Sequence, residues 1–187
     1  MSFDMSGAHN LYVGDAGQVL YEEVSVVQKG GNYGWNVKEG THCFNAASPL
    51  TPFPNCPGVD GQFGKPLIDP VIEMLNAQNP ASGPKTLTVI GGNVYRGTSI
   101  PGFMGKYIFG SFSKAGGPPT GELFMAQPAG PGLWPFQEIT LKSFPDHLGQ
   151  FVKGFGQDPE GEIYVTTSTI SGPAGTTGKV YKLVLAD

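Results

Sequence analysis

Short runs of aromatic and β-branched residues, each cut off by Gly, Pro, Asn or Asp, recur from one end of this chain to the other. Runs of that length and bounding chemistry are the signature of strands. They are expected over residues 10–13, 23–27, 88–95, 106–109, 122–126, 138–141, 162–167 and 179–184. No segment keeps its apolar positions at helical spacing over three turns, and residues 70–77 offer one short helical turn at most. The pattern predicts an all-β chain.

One unit of this pattern repeats. Phe3-Asp4 with Gly7 precedes Leu11-Tyr12-Val13, and Gln157-Asp158 with Gly161 precedes Glu162-Ile163-Tyr164-Val165. An Asp followed three residues later by Gly makes a tight turn, which here delivers a Tyr-bearing strand. Gly105-Lys106-Tyr107-Ile108-Phe109-Gly110 is a third, looser copy without the Asp. Turn-plus-strand units recurring at such intervals point to the radial repetition of a propeller. At roughly 40–50 residues per four-stranded antiparallel blade, the chain has room for three to four blades.

Composition narrows the picture. Residues 1–187 are read as one domain, with 39% hydrophobic residues to fill a core. Charged residues are only 14%, against roughly 25% in an average soluble domain. There are 29 Gly and 17 Pro, which means many turns. A formal net charge of -4 without a basic stripe excludes a nucleic-acid binder. No run approaches the roughly 18 apolar residues of a membrane-spanning helix. The only cysteines, Cys43 and Cys56, lie in one Pro- and Asn-rich loop. A disulfide there would stabilise by about 3 kcal/mol and imply an oxidising compartment. Two reduced thiols remain an alternative. A zinc site is disfavoured because no second Cys/His pair follows at finger spacing.

The most specific residues are Leu11-Tyr12-Val13-Gly14-Asp15-Ala16-Gly17-Gln18, then Tyr21-Glu22-Glu23-Val24, then Lys29-Gly30-Gly31-Asn32-Tyr33-Gly34-Trp35. Downstream come Gly91-Gly92-Asn93-Val94-Tyr95-Arg96-Gly97, Gly105 to Gly110, and Gly178-Lys179-Val180-Tyr181-Lys182-Leu183. In order and spacing these resemble the C-terminal part of the glucose/sorbosone dehydrogenase family. That family contains soluble aldose sugar dehydrogenases dependent on pyrroloquinoline quinone (PQQ) and hedgehog-interacting-protein-like propellers. The resemblance implies a six-bladed β-propeller, of which this chain covers roughly the last three to four blades. Glu39-Gly40-Thr41-His42-Cys43-Phe44 with the later Cys56 leans toward the hedgehog-interacting-protein-like branch, implying a Cys43–Cys56 disulfide and a secreted, extracellular or periplasmic protein.

The resemblance also implies a site. Backbone carbonyls at Gly17 and Gln18 match the loop that holds the calcium bridging to PQQ. Carbonyls at a tight Gly turn suit a hard cation. Glu23, and Tyr33 through its backbone, match a second, structural calcium. PQQ is a tricarboxylate and calls for cationic partners. Lys114 and Lys153 are the candidates, but Phe151 and Lys153 stand where the family places two arginines. No catalytic residue is expected: the family's base, a His, lies N-terminal to the matched region, and His9, His42 and His147 match no catalytic position. Asp15 is read as a turn residue, and Trp35 and Trp134 as packing residues. Two functions follow from the resemblance. One is a PQQ- and calcium-dependent dehydrogenase that oxidises a sugar at C1. The other is a non-catalytic extracellular propeller that binds a glycan or protein, or a structural subunit of an extracellular assembly. Both require the missing propeller half or a partner chain.

Overall fold

A computed structural model describes residues 1–6, 8–114 and 117–186; Gly7 of the first repeat lies outside them. The strands are β1 (Ser2–Phe3), β2 (Leu11–Asp15), β3 (Tyr21–Val27), β4 (Lys38–Glu39), β5 (His42–Cys43), β6 (Ile72–Asn76), β7 (Lys85–Thr86), β8 (Val89–Val94), β9 (Tyr107–Ser111), β10 (Glu122–Ala126), β11 (Phe136–Glu138), β12 (Phe151–Gln157), β13 (Ile163–Ser168) and β14 (Lys179–Lys182). The only helical piece among the described residues is one 3-10 turn at Pro101–Phe103. Three sheets form, in the orders β1-β2-β3-β6-β7, β11-β10-β9-β8 and β12-β13-β14, and β4 and β5 make a separate hairpin.

The sheets stack face to face as blades, and side-chain alternation explains why. On β9, Tyr107 and Phe109 enter a core shared with the first sheet, together with Tyr12, Val24 and Ile72. Ile108, between them, enters a second core shared with Ile163 and Val165 of the third sheet. Successive strand residues point to opposite faces. A sheet sandwiched between two others therefore reads as a continuous apolar run, and all five residues of β9 are buried. The innermost strands approach without intervening side chains: a Cβ on Gly14 of β2 would lie 2.9 Å from the backbone nitrogen of Gly91 on β8.

Buried polar clamps tie the blades together. Glu22 is fully buried and accepts hydrogen bonds from Asn76 Nδ2 at 2.6 Å, Thr88 Oγ1 at 3.0 Å and the Val89 N–H at 2.9 Å. It thereby bridges the first and second sheets. Glu162 bridges the second and third, accepting from the Tyr95 hydroxyl at 2.7 Å and the N–H groups of Thr98 and Ser99 at 3.0 and 2.9 Å. Burial opposes ionisation of Glu162, yet donation from Ser99 and Tyr95 outweighs it and holds the pKa down to about 2. This group therefore contributes stability that is present above its unfolded pKa of about 4.5 and is lost as pH falls toward 2. A melt series from pH 6 to pH 2 should show that loss for the native chain and a flatter profile for Glu162→Gln.

Two expectations are corrected, and the seven-residue strand β12 lay outside the expected runs. Residues 70–77 are not a helical turn: Ile72–Asn76 is strand β6, because antiparallel pairing with β3 supplies its backbone partners. Strand β12 interrupts its apolar pattern at Gly154 and Gly156, carries a bulge between Val152 and Gly154, and so reads weakly in sequence. Only the middle sheet has four antiparallel strands. In the first, β7 joins β6 in parallel, and the third has three strands among the described residues. The Asp158 turn forms as expected: the Gly161 N–H donates to the Asp158 carbonyl at 2.9 Å.

Candidate functional site: a carboxylate cluster under the first blade

On β3, Glu22 and Val24 face the second sheet, so Tyr21, Glu23 and Ser25 face the other way. That outer face carries an unusual row. Asp15 of β2 pairs in register with Glu23, and Glu23 pairs in register with Glu73 of β6. Like charges directly opposite one another across strands destabilise a sheet unless something neutralises them. The β4–β5 hairpin covers the row. Its Gly40 N–H donates to Glu23 Oε1, and the Thr41 N–H and hydroxyl donate to Glu73 Oε2 at 2.6 and 3.0 Å. Gly40 has φ 64°, and a Cβ there would lie 2.2 Å from Glu73 Oε2, so only glycine fits at this point. His42 stacks on Tyr21 at 4.2 Å and meets Glu73 Oε1 at 3.1 Å.

Glu39 completes the cluster. It is fully buried, and its Oε1 accepts from the N–H groups of Val19, Leu20 and Tyr21. Its Oε2 is buried without a hydrogen-bond partner among the described residues. An orphaned, buried carboxylate oxygen is costly unless it meets a proton or a cation. Burial, followed by the negative charges of Asp15, Glu73 and Glu39, pushes the Glu23 carboxyl up to about 7 despite the opposing bond from Gly40. All the donors are oxygens, the chemistry of a hard divalent cation. Among the described residues, no three His, Cys, Asp or Glu side chains converge in metal-binding geometry, so the fit rests on donor type, excess charge and the orphaned oxygen.

The expected site residues distribute as follows. Gly17 sits in the turn that wraps Glu39, where a Cβ would lie 2.7 Å from Glu39 Oε1, and the neighbouring Gln18 is exposed. Glu23 lies in the cluster. The Tyr33 hydroxyl accepts from the Gln28 N–H at 2.7 Å and meets the Val26 carbonyl at 3.3 Å, which ties its ring to the far end of β3. Glu39 and Glu73 were not singled out in the sequence. Glu39 lay within the motif that led to Cys43, and Glu73 lay within the segment read as a helical turn.

The cationic candidates are otherwise engaged. Lys153 Nζ donates to the Ser171 carbonyl at 2.6 Å and lies over the rings of Phe112 and Phe151, at 4.7 and 5.4 Å from their centroids. Phe151 is buried and stacks on Phe112 at 4.6 Å. Lys114 pairs with Glu122 at 2.9 Å, a bond that raises its pKa. The chain's single arginine, Arg96, grips Asp4 with Nε at 2.9 Å and Nη2 at 2.6 Å. To meet a tricarboxylate cofactor, each of these three cations would have to leave its present partner. A cavity of about 770 Å³, lined mostly by apolar residues and by no carboxylate, lies between the second and third sheets.

Cys43 and Cys56 form a disulfide that closes a 13-residue separation at the end of the covering hairpin. Reduction should lower stability by about 3 kcal/mol by the chain-entropy relation. Non-reducing peptide mapping should recover the linked pair, and two alkylatable thiols in native material would contradict it. No described helix is long and apolar enough to cross a membrane.

Three stacked blades with a carboxylate-lined first sheet make this chain part of a β-propeller. In sequence it is similar to hedgehog-interacting-protein-like proteins, and in fold to glucose and aldose sugar dehydrogenases. It is 30% identical over 187 residues to the HIPL1 protein of Arabidopsis thaliana, covering 89% of this chain and 24% of that protein. It is 30% identical over 99 residues to the mouse Hedgehog-interacting protein, covering 51% of this chain and 13% of that one. The chain thus spans about a quarter or less of the curated relatives it matches. A glucose dehydrogenase crystal structure superposes with a TM-score of 0.57 at 16% identity, over 96% of this chain and 42% of that one. The apo soluble aldose sugar dehydrogenase of Escherichia coli gives 0.54 at 18% identity, over 96% and 43%. These two structures establish the shared fold. No protein-family profile matches the chain.

Proposed function

We propose that this chain is part of a secreted recognition propeller that holds a calcium ion beside Glu23, in the carboxylate-rich field of Asp15, Glu39 and Glu73, and binds an extracellular glycan or protein without oxidising it. The observation that carries this reading is the engagement of its cations. Lys153 lies on two phenyl rings and a carbonyl, Lys114 is paired with Glu122, and Arg96 is committed to Asp4. Transferring a tricarboxylate to that region would leave its anions underpaired. The disulfide supports an oxidising, extracellular setting. Calcium here would neutralise the carboxylate row and fasten the hairpin to the blade.

A PQQ-dependent sugar dehydrogenase is the second reading. The shared fold favours it, as does the intact Gly17 turn, whose Gly17 and Gln18 carbonyls would take a further calcium. Absorbance titration of the intact protein with PQQ and calcium separates the two readings. No saturable change at micromolar quinone is expected. Saturable one-to-one binding that Lys153→Ala weakens about ten-fold would overturn the recognition reading.

A further inference from the structure

The sequence reading placed Trp35 among packing residues, but its side chain is 56% exposed. It lines a cleft of about 380 Å³ between residues 30–35 and residues 60–65. Phe63, from the facing loop, is 70% exposed and lines the same cleft. Asp15, Asn32, Asp60 and Lys65 supply polar groups around these rings. The volume lies toward the lower end of the range for small-molecule sites.

The walls are held in place before any ligand arrives. Trp35 leans on Phe44 with ring centroids 4.8 Å apart. Asn32 Oδ1 accepts the Gly34 N–H at 3.0 Å, and the Gly34 carbonyl accepts from Val37 and Lys38. The facing loop is closed by Asp60 N–H to the Lys65 carbonyl at 2.8 Å and Leu67 N–H to the Gly58 carbonyl at 2.9 Å. It is joined to the first wall through Ile68 N–H to the Asn32 carbonyl at 2.8 Å. The N–H of Phe63 holds the Asp60 carboxyl below the usual carboxylate range, so it stays an acceptor. A large exposed ring braced from behind is a stacking platform, and the cost of ordering it has already been met by the fold.

We propose that this cleft binds a neutral oligosaccharide, stacked on Trp35 and Phe63 and hydrogen-bonded through its hydroxyls to Asp15, Asp60, Asn32 and Lys65. The inference deepens the recognition reading and rests on it. Sugar hydroxyls both donate and accept, and the cleft offers both kinds of partner: carboxylates that accept, an ammonium that donates and an amide that does either. A quaternary ammonium ligand would use the rings and carboxylates but would be repelled by Lys65. A sulfated or uronic glycan would meet two carboxylates against one cation.

Trp35 and the core residue Trp134 are the only tryptophans, so intrinsic emission reports on the cleft. The intact protein is titrated with cellopentaose, laminaripentaose, chitopentaose, a heparin hexasaccharide and choline. At least one neutral pentasaccharide should shift the emission saturably. Calorimetry should then show its affinity reduced about ten-fold or more in both Trp35→Ala and Phe63→Ala, and unchanged in Lys179→Ala on the third sheet. Phe63 is mostly exposed, so its variant leaves the fold intact and keeps the test decisive if Trp35→Ala is unstable. Binding of heparin or choline alone, no binding of any probe, or full affinity in Phe63→Ala would each overturn the proposal. A protein with no glycan affinity would still leave the recognition reading standing, whereas quinone-dependent sugar turnover would end that reading itself.

Discussion

Replacing Glu22 with alanine should destabilise the protein by about 3–4 kcal/mol. The side chain is fully buried, and it accepts from Asn76, Thr88 and Val89. Truncation strands these donors at the joint between the first two blades, at about 1–3 kcal/mol for each that finds no water. Burial itself raises the Glu22 pKa, so part of the loss is recovered by removing a poorly solvated charge. Glu22→Gln keeps one acceptor oxygen and should cost about 1–2 kcal/mol. Trp134 lies in the core shared by these sheets, so its emission during urea denaturation reports on this joint. A midpoint for Glu22→Ala indistinguishable from wild type would mean that the blades are held without the clamp.

The second large effect is a calcium-dependent response to pH. In chelator, Glu23 has a folded pKa of about 7 against an unfolded value near 4.5. A carboxyl with a raised folded pKa favours the folded state below its unfolded pKa and forfeits that contribution as pH rises through the folded one. Stability in chelator should therefore fall by about 3 kcal/mol between pH 4.5 and pH 7. Calcium takes over the neutralising role of the proton. At a concentration about 100 times its dissociation constant it should restore about 2.7 kcal/mol at pH 7.5. Thermal melts with calcium and with chelator at pH 5 and 7.5 should diverge only at the higher pH, and Glu39→Gln should remove most of the divergence. Identical melts at pH 7.5 would contradict a cation at this cluster.

Much of the fold was legible because blades are local objects. The Asp158 turn, the buried run of β9 and the Tyr-bearing strands follow from residues adjacent in sequence. β6 was not legible, since Pro70 at its start and a mixed Ile-Glu-Met-Leu run mask a strand that exists through its pairing with β3. Of the carboxylate cluster, resemblance pointed to Glu23 alone; Glu39 and Glu73 become its neighbours only when the hairpin folds back under the blade. Phe151 and Lys153 marked a weakened cofactor site in sequence. That Lys153 is committed to Phe112 and Ser171 depends on contacts from distant parts of the chain.

The central claim, recognition rather than sugar oxidation, meets its most direct test in a dye-linked dehydrogenase assay. The intact protein is incubated with PQQ, calcium and a panel of aldoses including glucose. Lys153, Lys114 and Arg96 are each engaged with another partner, so the rate should equal that of the protein-free control. Turnover above that control, abolished by Lys153→Ala, would contradict the account and make this chain part of a sugar dehydrogenase.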